Sequence, residues 1–291
     1  MTVLVTGATG SVGRLLIDTL LARGESVRAI TRTPDTAALP DAVEVVGGDL
    51  SIPGGVPGAA FTGVDRAFVF PAAGVDAFVD DAVEHGVEKF VVLSSLAAAQ
   101  EFPRDVGSAS QVHHSAVESA VTERTDNWTI LRPGTFAANL LSWAWSIRSG
   151  APIRAPYVRS AQAPIHEADV ADAAVAALTD DRWIGQAVAL SGPRSLTRTQ
   201  QVEALGAGLG RALTLVEISP DEFRAETAQF LDDGILRMLL DYWRDTVEVP
   251  DAVRPGVADL TGRPGRTLEQ WARDHRADFG VEIRSSGIAP R

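Results

Sequence analysis

Short, continuously apolar runs alternate with helical patterns along the first half of the chain, and this rhythm limits the possible folds more than any other feature. In each run the apolar residues are mostly consecutive, instead of alternating with polar ones. Such runs fit strands that are covered on both faces, as in a parallel sheet. The predicted strands are Thr2–Thr6, Ser26–Thr31, Val43–Val46, Arg66–Phe70, Lys89–Leu93 and Trp128–Leu131.

Helical patterns fill the intervals between these strands. A first helix has leucines at helical spacing and ends at Gly24, and a second runs from Val75 to His85 and ends at Gly86. Glycine is common just past a helix because it adopts left-handed backbone angles without strain. Since strand and helix alternate, the sequence predicts an α/β fold with a doubly wound parallel Rossmann sheet.

The rhythm changes after about Gly150, where prolines become frequent. We therefore expect an NAD(P)-binding Rossmann domain at residues 1–150 and a small C-terminal α/β substrate lobe at 151–280, with a lobe intertwined with the first domain as the alternative. Residues 281–291 are expected to form a tail. The elements predicted for this half are a helix at 169–179, a strand at Ala187–Leu190, and helices at about Thr199–Gly208, Pro220–Asp245 and Leu268–Phe279.

Composition excludes several classes of protein. The formal net charge of −12 disfavours nucleic acid as a partner, because like charges repel. No apolar run is long enough to span a bilayer, and the segment Thr2–Thr6 has no basic residues before it. We therefore expect a cytoplasmic protein with no nucleic-acid or membrane partner, and a homodimer remains open.

Cysteine and histidine usage also limits the chemistry. The chain has no Cys, which removes disulfides, thiolate catalysis and thiolate metal sites. Its five His show no metal-binding spacing, so we expect no metal site.

A glycine-rich turn follows the first predicted strand and opens the first helix. Its three glycines allow a sharp turn and a close approach of the backbone to a pyrophosphate, whose charge suits a helix N-terminus. The alternative is a glycine-rich turn that binds no ligand. The cofactor-binding residues expected in the turn are Gly7, Thr9, Gly10, Ser11, Val12 and Gly13.

The end of the second strand distinguishes NADP from NAD. An acidic residue there would bind the ribose hydroxyls of NAD, but the chain has Arg32, whose guanidinium favours the 2′-phosphate of NADP. NAD is the alternative cofactor, with Arg32 stacked on adenine or solvated. Asp49 and Leu50 follow the third strand, where they would lie beside the adenine or form a plain loop.

Together these features resemble the NmrA-like branch of the atypical short-chain dehydrogenases and reductases. The resemblance implies a Rossmann domain with a small C-terminal substrate lobe. It also implies that Ser94, Ser95, Pro133 and Phe136 lie near the nicotinamide or the substrate, and Pro71 joins the expected cofactor residues. The matching motifs are TGATGSVG (6–13), VRAITR (27–32), GDL (48–50), VVLSSL (91–96), HSAVE (114–118), WTILRPGTFAAN (128–139) and TGRPGRTLEQW (261–271).

Members of this family divide into two functional groups, and the glycine turn cannot choose between them. Some reduce quinones, enones or related carbonyl compounds with NAD(P)H. Others sense the dinucleotide and regulate partners without turnover. We expect an NAD(P)H-dependent oxidoreductase first, and a non-catalytic dinucleotide-sensing regulatory protein as the alternative.

The Tyr-x-x-x-Lys pair of most short-chain reductases is absent from this sequence, since neither tyrosine has a lysine four residues later. At the equivalent place His114 and Glu118 are one helical turn apart. His114 is the candidate proton donor, with Glu118 orienting it or holding the nicotinamide ribose, and Ser95 completes the catalytic candidates. Both His114 and Glu118 can also be plain surface residues, and His113 is the weaker histidine.

The missing pair favours an acceptor that needs only a weak acid. A quinone or conjugated carbonyl, including a polycyclic aromatic one, delocalises the charge that hydride transfer creates. A hydroquinone product can react with O₂, so oxygen-coupled hydroxylation is a minor alternative. The expected substrate residues are Phe136, Asn139, Leu140 and Trp143, although an ordinary core stripe explains the same spacing.

Overall fold

The computed structural model describes residues 1–281. The expected tail at 281–291 lies outside the described residues, except for Val281. The strands are β1 (Thr2–Val5), β2 (Ser26–Thr31), β3 (Glu44–Gly47), β4 (Arg66–Val69), β5 (Lys89–Leu93), β6 (Trp128–Pro133), β7 (Ile153–Ala155), β8 (Ala161–Gln162), β9 (Gln186–Leu190), β10 (Leu196–Thr197) and β11 (Leu215–Glu217). The helices are α1 (Ser11–Ala22), α2 (Val75–Glu84), α3 (Ala109–Thr122), α4 (Ala144–Ser149), α5 (Glu167–Thr179), α6 (Arg198–Leu209), α7 (Pro220–Thr227), α8 (Asp233–Glu248), α9 (Gly256–Thr261) and α10 (Leu268–Asp274).

The chain divides into two compact units. The first comprises Met1–Gly134, Glu167–Ser191 and Arg254–Gly265, and the second comprises Thr135–His166, Gly192–Val253 and the chain from Arg266 onward. From the sequence we expect a boundary near Gly150, with the two parts intertwined along the chain as the alternative. In the structure the chain leaves the first unit at Gly134 and returns to it twice, so residues 135–150 belong to the second unit.

The first unit is built on a seven-stranded sheet in the order β3-β2-β1-β4-β5-β6-β9. Every neighbouring pair is parallel, which confirms the predicted doubly wound Rossmann fold. All five residues of β5 are buried, as expected for a strand covered on both faces. Its Lys89 extends to the backbone oxygen of Asp180 and to a carboxylate oxygen of Asp181, each at 3.0 Å.

Two elements assigned from the sequence to the C-terminal lobe belong to the first unit. Strand β9 extends the sheet beyond β6, with Thr129 paired to Gln186 and Pro133 paired to Leu190. Helix α5 packs on α1. Strand β9 hydrogen-bonds along the whole exposed edge of β6, which explains why it joins this sheet and not a separate lobe.

The second unit contains two small sheets and a helical core. Strands β7 and β11 pair in parallel, and β8 and β10 pair antiparallel. Helices α6 and α10 pack together around the fully buried Trp271. The predicted single helix Pro220–Asp245 is wrong: α7 ends at Thr227, and Asp232 caps a new helix by accepting a hydrogen bond from the amide of Ile235.

Within residues 1–281, every helix is too short or too polar to span a lipid bilayer.

Candidate functional site

The carboxyl ends of four neighbouring strands carry most of the predicted site residues of the first unit. Gly7 follows β1, Pro71 follows β4, and Ser94 and Ser95 follow β5. Pro133 is the buried last residue of β6. In open α/β sheets ligands bind at this edge, so the sheet brings together residues that are far apart in sequence.

The glycine-rich turn tolerates no side chain at two of its three glycines. Gly7 has a left-handed backbone with φ of +61°, and a Cβ there would lie 2.7 Å from the ring and Cβ of Phe70. A Cβ on Gly13 would lie 2.2 Å from the carbonyl oxygen of Gly7. Both positions therefore require glycine for the turn to fold against the start of α1.

Gly10 occupies the N-cap of α1 with an extended backbone and no side chain that caps the helix. Its amide donates to the Gly7 oxygen at 3.0 Å, which closes the turn. Thr9, Gly10 and Ser11 are exposed, Val12 is buried, and the first helical turn has no acidic residue. A bare, uncapped helix N-terminus beside exposed backbone fits the pyrophosphate of a dinucleotide.

Arg14 ties this turn to the loop after β2, a role that the sequence analysis missed. Its guanidinium donates to the oxygen of Thr9 at 3.1 Å and to the oxygens of Ala37 and Ala38, each at 2.8 Å. Arg14 therefore holds the glycine turn and the loop after β2 together. The sequence does contain one signal for this role, namely a cation in the first turn of a helix. The helix dipole disfavours a cation there, which indicates that Arg14 makes some other favourable contact.

Arg32 is exposed directly after β2, as the sequence predicts, and within residues 1–281 its side chain makes no hydrogen bond or ion pair. Asp49 lies in the loop after β3, where it accepts from the amide and the hydroxyl of Ser51 at 2.9 and 2.7 Å. These hydrogen bonds lower the pKa of Asp49, and the charge of Arg32 lowers it further. Leu50 is half-buried next to Asp49. A free guanidinium thus remains for an anionic ligand.

Pro71 follows Phe70, whose side chain is 42% exposed. The amide of Phe70 donates to the Thr6 hydroxyl at 2.7 Å, and this hydroxyl donates to the oxygen of Phe68 at 3.0 Å. Thr6 therefore joins the ends of β1 and β4 and holds Phe70 against the glycine turn. Phe70 was not among the expected site residues, because the sequence pattern makes it the last residue of a buried strand.

Ser94, Glu118 and Arg132 form a closed cluster. The Ser94 hydroxyl donates to one carboxylate oxygen of Glu118 at 2.5 Å, and Arg132 donates to both oxygens at 2.8 and 2.6 Å. Ser94 and Glu118 are buried, and the pKa of Arg132 is raised by its hydrogen bond to Glu118. Arg132 was not among the expected site residues, because it lies on a different element from its partner Glu118.

His114 lies one turn before Glu118 on α3, but its surroundings keep it neutral. Burial, reinforced by the neighbouring His113, lowers the pKa of His114 to about 4, although the charge of Glu118 acts in the opposite direction. Its Nδ1 is buried without a hydrogen-bond partner in the described part of the chain. Ser95 is half-buried nearby, with its hydroxyl 3.5 Å from that of Ser110, one turn before His114.

The four residues expected to line the substrate lie in the second unit. Asn139, Leu140 and Trp143 lie in a 3₁₀ helix, Ala137–Trp143, and Phe136 immediately precedes it. Leu140 is buried in the hydrophobic core of the unit, so it serves packing. Asn139 is exposed, and Phe136 and Trp143 are half-buried.

A tyrosine cluster in the second unit was also missed. The Tyr242 hydroxyl lies 2.8 Å from the Thr135 hydroxyl and donates to a carboxylate oxygen of Asp251. Tyr242 has no lysine four residues later, and its partner is instead an aspartate nine residues later, a spacing that marks no known motif.

Comparison with known proteins agrees with this geometry. A family model described as NAD(P)H-binding matches residues 7–181, which include the glycine turn, the Ser94 cluster and the strands β2 to β6. The (4-alkanoyl-5-oxo-2,5-dihydrofuran-3-yl)methyl phosphate reductase of Streptomyces griseus is 35% identical over 96% of this chain and 100% of its own length. An NAD(P)H azoreductase of Xenophilus azovorans is 30% identical over 96% of this chain and 99% of its own.

Among solved structures, an NADPH-dependent quinone oxidoreductase from Escherichia coli superposes with a TM-score of 0.78. The two chains are 23% identical, and the match covers 94% of this chain and 98% of the other. This likeness establishes a shared fold.

Proposed function

Because the chain belongs to the NAD(P)H-binding family, in the NmrA-like branch of the atypical short-chain dehydrogenases and reductases, we propose that it reduces conjugated carbonyl compounds and quinones. The dinucleotide supplies a hydride when bound. The acceptor takes up that hydride and one proton, and its conjugation spreads the charge that forms between the two events.

One observation carries the choice of a conjugated acceptor. His114 lies one helical turn after Ser110, whose hydroxyl is close to that of Ser95. Burial lowers the pKa of His114 to about 4, so it is neutral at physiological pH. Glu118 does not bond to it, because its carboxylate is bound by Ser94 and Arg132. A neutral imidazole is a weak acid. It gives little assistance to an isolated ketone, whose reduction builds up localised alkoxide charge, whereas a conjugated acceptor delocalises that charge and needs less help from an acid.

Two relatives carry names that fit this substrate class. The Streptomyces griseus enzyme is named for a dihydrofuranone whose ring double bond is conjugated with its carbonyl groups, and the Xenophilus azovorans enzyme for azo compounds. Each acceptor has a π system that delocalises charge after reduction. These identities, over nearly the whole of each chain, support a conjugated acceptor for this protein.

We assign roles to the residues of the first unit as follows. The turn from Gly7 to Gly13 and the uncapped start of α1 hold the pyrophosphate. Arg32 binds the 2′-phosphate, which favours NADP over NAD. Ser94, fixed by Glu118, shapes the end of β5, and His114 and Ser95 hold a proton for the acceptor.

The experiment is an assay of NADPH and NADH oxidation by the pure chain against quinones, enones, azo dyes and isolated ketones. Turnover of conjugated acceptors with little turnover of isolated ketones supports the proposal. Parallel assays under air and under nitrogen separate simple reduction from oxygen-coupled hydroxylation, which requires O₂ uptake. Preferred turnover of isolated ketones would overturn the assignment of substrate class.

A further inference from the structure

Arg198, the first residue of α6, is a buried cation between aromatic rings in the second unit. Its side chain is only 6% exposed. The guanidinium carbon lies 3.7 Å from the ring centroid of Trp243 and 5.9 Å from that of Trp143. A stacked guanidinium keeps its N–H donors available for an anion, because contact with a ring face satisfies none of its hydrogen bonds.

Within residues 1–281, no carboxylate pairs with this cation. Its side chain makes no ion pair and no hydrogen bond, and its Nε is fully buried without a partner. Burial lowers the pKa of Arg198 to about 9, and the opposing cause is a nearby tyrosine, Tyr242, not a carboxylate. The guanidinium therefore remains charged at neutral pH. A buried charge with no partner destabilises the folded chain, so a structural role alone does not account for it.

The helix start adds to the local positive charge. The amides of Arg198, Thr199 and Gln200 are bonded to the oxygens of Ser160, Val158 and Thr197 at 3.1, 3.4 and 3.2 Å. The backbone donors are thus occupied, and the unmet donors belong to the Arg198 side chain. A cation at a helix N-terminus is unfavourable on its own and favourable once an anion joins it.

We propose that Arg198, with Trp143 and Trp243, binds an anionic group on the acceptor molecule, either a phosphate monoester or a carboxylate. This inference rests on the proposed function for the identity of the bound molecule as acceptor. The guanidinium fork binds two oxygens of the anion, and the indole rings pack against the apolar part of the acceptor beside it.

The test is calorimetric titration of the full chain with phenyl phosphate, benzoate and benzyl alcohol, which share a ring and differ in the anion. We expect at least one of the two anions to bind at least tenfold more tightly than the alcohol, and the tighter of the two identifies the anion. Arg198→Met, which keeps a side chain of similar length, should lose that preference at least tenfold. Arg237→Met removes the same charge from an exposed position on α8 and should preserve it.

Thermal unfolding of the free chain gives a second, independent measurement. If Arg198 is held for an anion, Arg198→Met should raise the melting temperature, because it removes an unpaired buried charge. Arg198→Lys keeps the charge but not the guanidinium fork, so its anion affinity should lie between those of the unmodified chain and Arg198→Met. Equal binding of phenyl phosphate, benzoate and benzyl alcohol by the unmodified chain would overturn the proposal, as would unchanged anion affinity in Arg198→Met.

The outcome separates this inference from the proposed function. Binding is measured without turnover, so a chain that binds the anion but oxidises no NAD(P)H retains the anion site and loses the reductase assignment. A chain that reduces uncharged enones but shows no preference for anions retains the reductase assignment and loses the anion site.

Discussion

Arg132 of β6 donates to both carboxylate oxygens of Glu118 of α3, at 2.8 and 2.6 Å. The third partner, the Ser94 hydroxyl, donates to the same carboxylate. Glu118 is therefore a structural anchor between α3, β5 and β6. His114 must act without a carboxylate partner, which leads to the weak-acid chemistry proposed above.

Removing Arg132 should destabilise the chain, because it leaves the Glu118 carboxylate buried without its cation. Arg132→Met should lower the free energy of unfolding in urea by about 3 kcal/mol. Arg124→Met is the matched control, since Arg124 makes the same two-point contact with Asp80, whose side chain is 60% exposed. Its cost should stay below about 1 kcal/mol. Equal costs for the two variants would refute the role of Glu118 as a buried anchor.

Arg32→Ala should weaken NADPH binding by about 10- to 100-fold, the effect of losing one charge-assisted contact. NADH, which has no 2′-phosphate, should bind almost as before. Calorimetric titration with each dinucleotide measures both effects. Arg23→Ala, at the exposed far end of α1, controls for the loss of a positive charge. If Arg32→Ala weakens both dinucleotides equally, Arg32 does not bind the 2′-phosphate.

Gly10→Val should abolish dinucleotide binding while leaving the chain folded. A Cβ at Gly10 would lie 3.3 Å from the Gly7 oxygen, a tight contact that the loop can relieve, but the larger side chain would occupy the exposed surface of the turn. Gly234→Val places the same side chain in the exposed first turn of α8 and should bind normally. Circular dichroism checks folding. Normal binding by folded Gly10→Val would show that the pyrophosphate lies elsewhere.

The chain should lose stability as the pH falls from about 6.5 to about 4, partly because of His114. Its pKa is lowered in the folded chain, so within this window the unfolded chain binds more protons and the free energy of unfolding decreases with decreasing pH. His114→Gln removes this titration. Between pH 7 and pH 4.5 it should lose about 1 kcal/mol less than the unmodified chain, an amount that allows for partial exposure of the ring.

His85→Gln is the control for the pH experiment, because His85 is exposed at the end of α2. Urea unfolding at a series of pH values is measured for both histidine variants and for the unmodified chain. An identical pH dependence for His114→Gln would mean that His114 is not held neutral by burial.

Most of the Rossmann sheet was predictable, and specific residues explain why. Strands β2 and β5 begin and end at the predicted residues, because continuous apolar runs end at polar or glycine-rich segments. The glycine turn was predictable from its position between a strand and a helix. Contacts between distant elements were not predictable, because neither the periodicity nor the spacing of residues indicates which side chains meet in space.

Arg132 and Arg198 show this limit in opposite ways. Arg132 lies in an apolar strand with no local carboxylate, and only the pairing of β5 with β6 brings it to the Ser94 and Glu118 cluster. Arg198 follows a good N-cap, Thr197, and no pattern in the sequence marks it as buried beside Trp143 and Trp243. The break between α7 and α8 was missed for a related reason, since a capping aspartate inside a helical pattern is a weak signal.

The most direct test of the account is hydride transfer to a conjugated enone, under nitrogen, from NADPH that carries deuterium at both C4 positions of the nicotinamide. We predict that each NADPH consumed yields one reduced product carrying one deuterium, as measured by mass spectrometry. His114→Phe should lower this rate by about 100-fold with an enone and less with a simple quinone, which takes its proton from water. A chain that binds NADPH tightly but consumes none with any enone, quinone or azo acceptor would contradict the account and identify a dinucleotide sensor.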